Sequence, residues 1–150
     1  MVIEKNEYFY KGQCLCGSIK YKVSEIEPKM AHCHCSMCRK FHGSAFATFG
    51  EVKASNFHWI EGKELLKTYL APNGTKRKFC GKCGSSLIFV PSKDSGELLE
   101  FSLGTLDSKI DIKPDAHIFT SHGACWYEIT DDLPKYVEGR DVSQERAVKN

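Results

Sequence analysis

Two stretches decide the reading of this chain: Cys14-Leu15-Cys16-Gly17-Ser18-Ile19-Lys20-Tyr21 and Cys80-Gly81-Lys82-Cys83-Gly84-Ser85-Ser86-Leu87-Ile88-Phe89. Each opens on a close cysteine pair, passes through Cys-Gly-Ser and runs into a β-like segment. A glycine after the last cysteine suits a knuckle, where the backbone must curl so that its N–H groups face the sulfurs. Pair, glycine and strand recur together, which marks an internal repeat rather than two chance turns. Two knuckles of one type, joined from distant segments, predict a four-thiolate tetrahedral zinc site on Cys14, Cys16, Cys80 and Cys83. Such a site has no room for substrate. It is expected to staple the fold, its binding free energy doubling as folding free energy.

Working outward, alternation continues after the first knuckle. Ile19, Tyr21 and Val23 point one way and Ser18, Lys20 and Lys22 the other, the pattern of a half-buried strand. Similar runs near 45–49, 76–79, 86–90, 98–103 and 116–120 are separated by turn signals such as Asn73-Gly74. Helical expectations are confined to a turn after Cys35 and to 63–69. Many short strands with turns between them predict a mainly β domain.

A length of 150 residues suits one domain, and 41% apolar with 27% charged residues is the balance of a globular chain. No apolar run approaches a membrane span, and the first seven residues lack the apolar core of a signal peptide, so a cytoplasmic protein is expected. A net charge of +2 does not by itself suggest a nucleic-acid or membrane binder. Eight cysteines are many for a reducing compartment, where structural disulfides are rare. They need another task.

Three of them form a separate group, Cys33-His34-Cys35-Ser36-Met37-Cys38. Three ligands and no obvious fourth is the pattern of a catalytic zinc with an exchangeable position. Two alternatives stand beside it: a fourth ligand from His32, His34, His42, Cys125 or a carboxylate, or a redox trio without metal. Three thiolates leave the ion a weaker Lewis acid than three histidines would. Holding a substrate thiol as thiolate, ready to attack a small carbonyl, is therefore favoured over making hydroxide from water.

These motifs resemble the glutathione-dependent formaldehyde-activating family, whose domain is shared with centromere protein V. The likeness is carried by Gly12-Gln13-Cys14-Leu15-Cys16-Gly17, by Cys33-His34-Cys35-Ser36-Met37-Cys38-Arg39-Lys40 with Gly43, and by Phe79-Cys80-Gly81-Lys82-Cys83-Gly84-Ser85. Leu106-Asp107, His117-Ile118-Phe119, Trp126 and Asp132-Leu133-Pro134-Lys135-Tyr136 extend it. The resemblance implies a β-tent fold of twisted antiparallel sheets over 10–137, with an N-terminal extension at 1–9 and a polar tail at 138–150. It implies two Zn²⁺ per chain, Cys14, Cys16, Cys80 and Cys83 holding the structural ion and Cys33, Cys35 and Cys38 the catalytic one. It further implies a carbon–sulfur lyase that joins glutathione, as co-substrate, to formaldehyde as S-(hydroxymethyl)glutathione. The partner is then a small thiol or thiol–carbonyl adduct.

Several other residues bear on the chemistry. His34 is a candidate proton shuttle or oxyanion donor, although alternation along an extended segment would point it away from the metal. His117 reads as a satisfied core histidine, His32 as partly buried or at the surface, and His122 as lying in a small-residue loop that offers a pocket role. Arg39 and Lys40 are candidate contacts for a substrate carboxylate. The run Lys76-Arg77-Lys78 reads as solvated charge or a second such contact. Cys125 is expected to be a buried small hydrophobe, and Trp59, Trp126 and Tyr127 core or pocket wall. The competing function is a non-catalytic zinc-stapled module that binds protein or nucleic acid; the single short basic run weighs against nucleic acid.

Overall fold

The computed structural model describes residues 9–140. Most of the proposed extension at 1–9 and of the tail at 138–150 lies outside the described residues. The strands are β1 (Tyr10–Gln13), β2 (Lys20–Val23), β3 (Ala31–Cys33), β4 (Ala47–Lys53), β5 (Phe57–Glu61), β6 (Leu66–Leu70), β7 (Lys76–Cys80), β8 (Ser86–Val90), β9 (Leu98–Ser102) and β10 (Ala116–Ile118). One α-helix, α1 (Ser36–His42), and a few 3-10 turns complete the described part. The protein is mainly β. No described helix is long and apolar enough to cross a membrane.

The chain divides into two compact units: residues up to Glu27 with Val52–Asp111, and Pro28–Glu51 with residues from Ile112 onward. In the first unit, β1, β2 and β5 form one antiparallel sheet, and β9, β8, β7 and β6 follow one another in a second. The alternation read after the first knuckle is realised on β2, where Tyr21 and Val23 are buried beside Ile19 while Lys20 and Lys22 are half-exposed. Tyr21 stacks on Phe57 with ring centroids 4.9 Å apart and meets Phe101 edge-on at 5.8 Å. Each such buried side chain contributes roughly 1.5–3 kcal/mol, and its aromatic geometry adds about 0.5–1.5 kcal/mol. The Tyr21 hydroxyl stays inside because it bonds Thr105 Oγ1 at 2.7 Å, leaving no orphan polar atom.

The second unit has β3 between β10 and β4. The pair β3–β4 is antiparallel, but β10–β3 is parallel, with His117 opposite His32 and Ile118 opposite Cys33. The expectation of antiparallel sheets is corrected here. A parallel neighbour needs a long return of chain, and the 83 residues from His34 to His117 supply it. The helix expected over 63–69 is also corrected: Lys63–Leu65 make one 3-10 turn, and Leu66–Leu70 form β6. Cross-strand pairing of Leu66–Leu70 with Lys76–Cys80 outweighs a weak local helical pattern. The turn at Asn73-Gly74 closes that hairpin, with Thr75 N–H and Oγ1 both donating to Asn73 Oδ1.

Candidate metal centres and a buried histidine pair

The knuckles close as mirrored turns. Cys14 N–H donates to Ile19 O at 3.0 Å, and Cys80 N–H to Ser85 O at 3.0 Å. Gly17 N–H returns to Cys14 O and Gly84 N–H to Cys80 O. Both glycines sit in the left-handed region, at φ +76° and +80°, which other residues enter only under strain. The N–H of Ile19 reaches Cys14 Sγ at 3.3 Å and that of Lys82 reaches Cys80 Sγ at 3.4 Å, as thiolate sulfur favours. Ser85 links the two, accepting from Leu15 N–H at 2.8 Å and lying 3.2 Å from Cys83 Sγ.

Four sulfurs gather as a result, all within 4.8 Å of one another. Cys14–Cys16 are 3.6 Å apart and Cys16–Cys80 3.9 Å. A disulfide would need about 2.05 Å. A tetrahedron with Zn–S bonds of about 2.3 Å has edges of about 3.8 Å, so the donor set fits one such ion. Cys14 and Cys80 are buried, Cys83 is half-buried and Cys16 faces solvent. Burial pushes the Cys80 thiol up to about 11.

The second cluster lies in the other unit. Cys33 ends β3, Cys35 caps α1 and Cys38 is in its first turn. The cap is a sulfur one: Cys38 N–H donates to Cys35 Sγ at 3.2 Å. The helix closes on Gly43, whose N–H bonds Arg39 O. The three sulfurs again lie within 4.8 Å of one another, and among the described residues no histidine, cysteine or carboxylate atom joins them. The neighbouring thiols of Cys35 and Cys38, followed by burial, hold Cys33 far above the usual thiol range. A divalent cation would remove that penalty by taking thiolates as ligands.

His34, between two of these cysteines, turns its ring to a different partner. Its Nε2 lies 2.7 Å from His117 Nδ1, and His117 Nε2 lies 2.9 and 3.1 Å from the two carboxylate oxygens of Asp131. Both histidines are almost fully buried, at 2% and 1% exposure, whereas Asp131 reaches the surface. Phe46 packs 5.0 Å from the His34 ring centroid, and Tyr127 packs against Phe46 at 5.5 Å. Burial, with the neighbouring rings of His117 and His32 behind it, lowers His34 to about 4 and keeps it neutral near pH 7. The bond from His117 holds Asp131 below the usual carboxylate range. Sequence reading placed His117 in the core but missed Asp131, one acid among several in a polar loop.

The remaining candidates separate. Arg39 Nε donates to His122 O at 3.1 Å, and among the described residues neither Arg39 nor Lys40 has a carboxylate at ion-pair distance. His122 itself is exposed, 3.5 Å from Glu138. His32 is half-buried and bonds Thr48 Oγ1 at 2.6 Å. Three expectations fail. Cys125 is exposed, although its neighbour Ala124 is buried. Trp126 is 71% exposed rather than part of a core. Arg77 is buried at 3%, since β7 alternation points it inward, and its guanidinium lies 4.9 Å over the Phe89 ring.

Several known proteins are similar to this chain. A family model described as glutathione-dependent formaldehyde-activating enzyme matches residues 9–122. An uncharacterized lyase from Schizosaccharomyces pombe is 34% identical over 80 residues, which is 53% of this chain and 56% of that protein. The match thus spans little more than half of that relative. A Halomonas elongata protein, provisionally named a glutathione-dependent formaldehyde-activating enzyme, is 27% identical over 127 residues, covering 79% of this chain and 80% of its own. The crystal structure of a Rhodobacter sphaeroides protein superposes with a TM-score of 0.56 at 25% identity, covering 67% of this chain and 91% of that one.

Proposed function

The chain belongs to the glutathione-dependent formaldehyde-activating enzyme family, and from that premise we propose that it is a zinc-dependent carbon–sulfur lyase of β-tent architecture acting on a thiol–carbonyl adduct. Glutathione with formaldehyde, giving S-(hydroxymethyl)glutathione, is the pair the family points to. The observation that carries the reading is the contrast between the clusters: four sulfurs with a closed donor set, and three sulfurs that no further described side chain joins. Cys14, Cys16, Cys80 and Cys83 would hold a structural ion, and Cys33, Cys35 and Cys38 a reactive one.

When bound at the trio, zinc supplies a site for a soft sulfur ligand and lowers the pKa of that thiol. In the forward direction the substrate sulfur forms a bond to the carbonyl carbon. The carbonyl π pair moves to oxygen, and the proton lost by the thiol is restored on that oxygen, giving a hydroxymethyl thioether. Reversal breaks the same carbon–sulfur bond. Arg39 and Lys40, on α1 beside the trio and without acidic partners among the described residues, would anchor an anionic thiol. The test is exchange of glutathione and formaldehyde with their adduct, followed by NMR. The metallated protein is expected to exceed the spontaneous rate and Cys35→Ser to lose the excess. Wild-type protein that adds nothing to the spontaneous rate refutes the formaldehyde reaction.

A further inference from the structure

We infer that Asp131 and His117 are positioning residues for the Cys33–Cys35 loop: the carboxylate orients His117, and His117 clamps the ring of His34, the residue between two clustered thiols. The inference deepens the proposed function, because this loop would carry the reactive metal. Direction in the chain follows from donor inventory. An ionised carboxylate only accepts, so His117 presents Nε2–H to Asp131. With His117 neutral, its Nδ1 carries a lone pair and accepts Nε2–H from His34 across the 2.7 Å contact. His34 is left with an unprotonated Nδ1. One carboxylate therefore fixes the tautomers of two rings.

The same loop is held on its backbone. His34 N–H donates to Ile118 O at 2.9 Å, the residue after His117, and His117 exchanges two backbone bonds with Pro134 O and Tyr136 N–H. Ring and main chain of His34 are thus tied to one segment, 117–136, which contributes no sulfur to the trio. Cys33 and Cys35 flank the tied residue, so the separation of their sulfurs depends on where His34 is held. Partners behind a metal loop act in this way, through orientation rather than contact with the ion.

The test uses the full-length protein loaded with cadmium, and four-thiolate and three-thiolate sites are followed separately by cadmium NMR during titration with a competing chelator. Asp131→Ala is expected to weaken the three-thiolate site by about 10–100-fold and leave the four-thiolate site unchanged, with Asp131→Glu restoring part of the loss. Long-range proton–nitrogen NMR of the wild type is expected to show Nε2–H on both His34 and His117. A proton on His34 Nδ1 overturns the inference. So does an Asp131→Ala protein in which both sites weaken equally, or neither does. None of these readouts involves turnover. An inactive wild type with the expected tautomers and the selective loss of affinity refutes the formaldehyde reaction and leaves this inference standing.

Discussion

The double substitution Cys16→Ser/Cys83→Ser tests the proposed division into a structural quartet and a reactive trio. It removes the exposed Cys16 thiol and the half-buried Cys83 thiol and leaves the buried pair, Cys14 and Cys80, in place, so little packing is lost. What is lost is the tie between segments 64 residues apart, the Cys16–Cys80 separation. Treated as a cross-link, closing a loop of that length lowers the entropy of the unfolded chain by an amount worth about 4 kcal/mol at 25 °C. For a chain of this size that corresponds to a fall in Tm of roughly 8–16 °C. The trio spans one short loop and a helical turn, so losing a metal there would release almost no long-range constraint. Cys35→Ser should therefore leave Tm nearly unchanged. The assay is thermal unfolding by circular dichroism with metal content measured on the same samples. A double variant that keeps the wild-type Tm, or a Cys35→Ser protein that loses as much stability as the double variant, refutes the division into one structural and one reactive cluster.

Three further outcomes follow from single residues. Asp131 has a folded pKa held below its unfolded value by His117; its contribution is therefore present above about pH 3.9 and disappears as pH falls through the folded value. The Asp131→Asn protein should show a shallower loss of Tm as pH falls from about 5 to about 2, through the carboxylate range, modest because Asp131 is near half-exposed. Lys40→Ala should raise KM for an anionic thiol about two- to five-fold with kcat unchanged, the scale of one exposed charge pair; an unaltered KM removes Lys40 from the substrate site. Gly84→Ala meets no atom within 4 Å but must hold φ +80°, so it should cost about 1–2 kcal/mol in urea unfolding, and no loss would mean the knuckle does not need that conformation.

What could be read from the chain alone follows the range of each interaction. Both cysteine clusters were legible because ligand spacing is local: C-x-C, C-x-x-C and a following glycine specify a knuckle wherever the rest of the chain goes. The pairing of distant knuckles was legible from their likeness, Cys-Gly-Ser into a strand in each. Alternation placed Ile19, Tyr21 and Val23 inside for the same reason, a period of two acting over a few residues. The segment 63–69 misled because its pattern is short, and the partner that makes Leu66–Leu70 a strand lies beyond a turn. Arg77 misled because a basic run of three was read as a unit, while a strand sends neighbours to opposite faces.

The parallel pairing of β10 with β3 is the element least visible in sequence and the one on which the second site depends. No local signal sets Ala116–Ile118 beside Ala31–Cys33 rather than at an edge of its own. Once it is there, in that register, Ile118 O meets the N–H of His34 and the His117 ring meets the His34 ring. A slip of one residue would turn His117 to the opposite face and remove both buried rings from each other. Two imidazoles buried without partners would be costly, so the pair and its carboxylate favour this register over its neighbours. The polar chain that holds the thiol loop thus also helps select the strand pairing that brings it there.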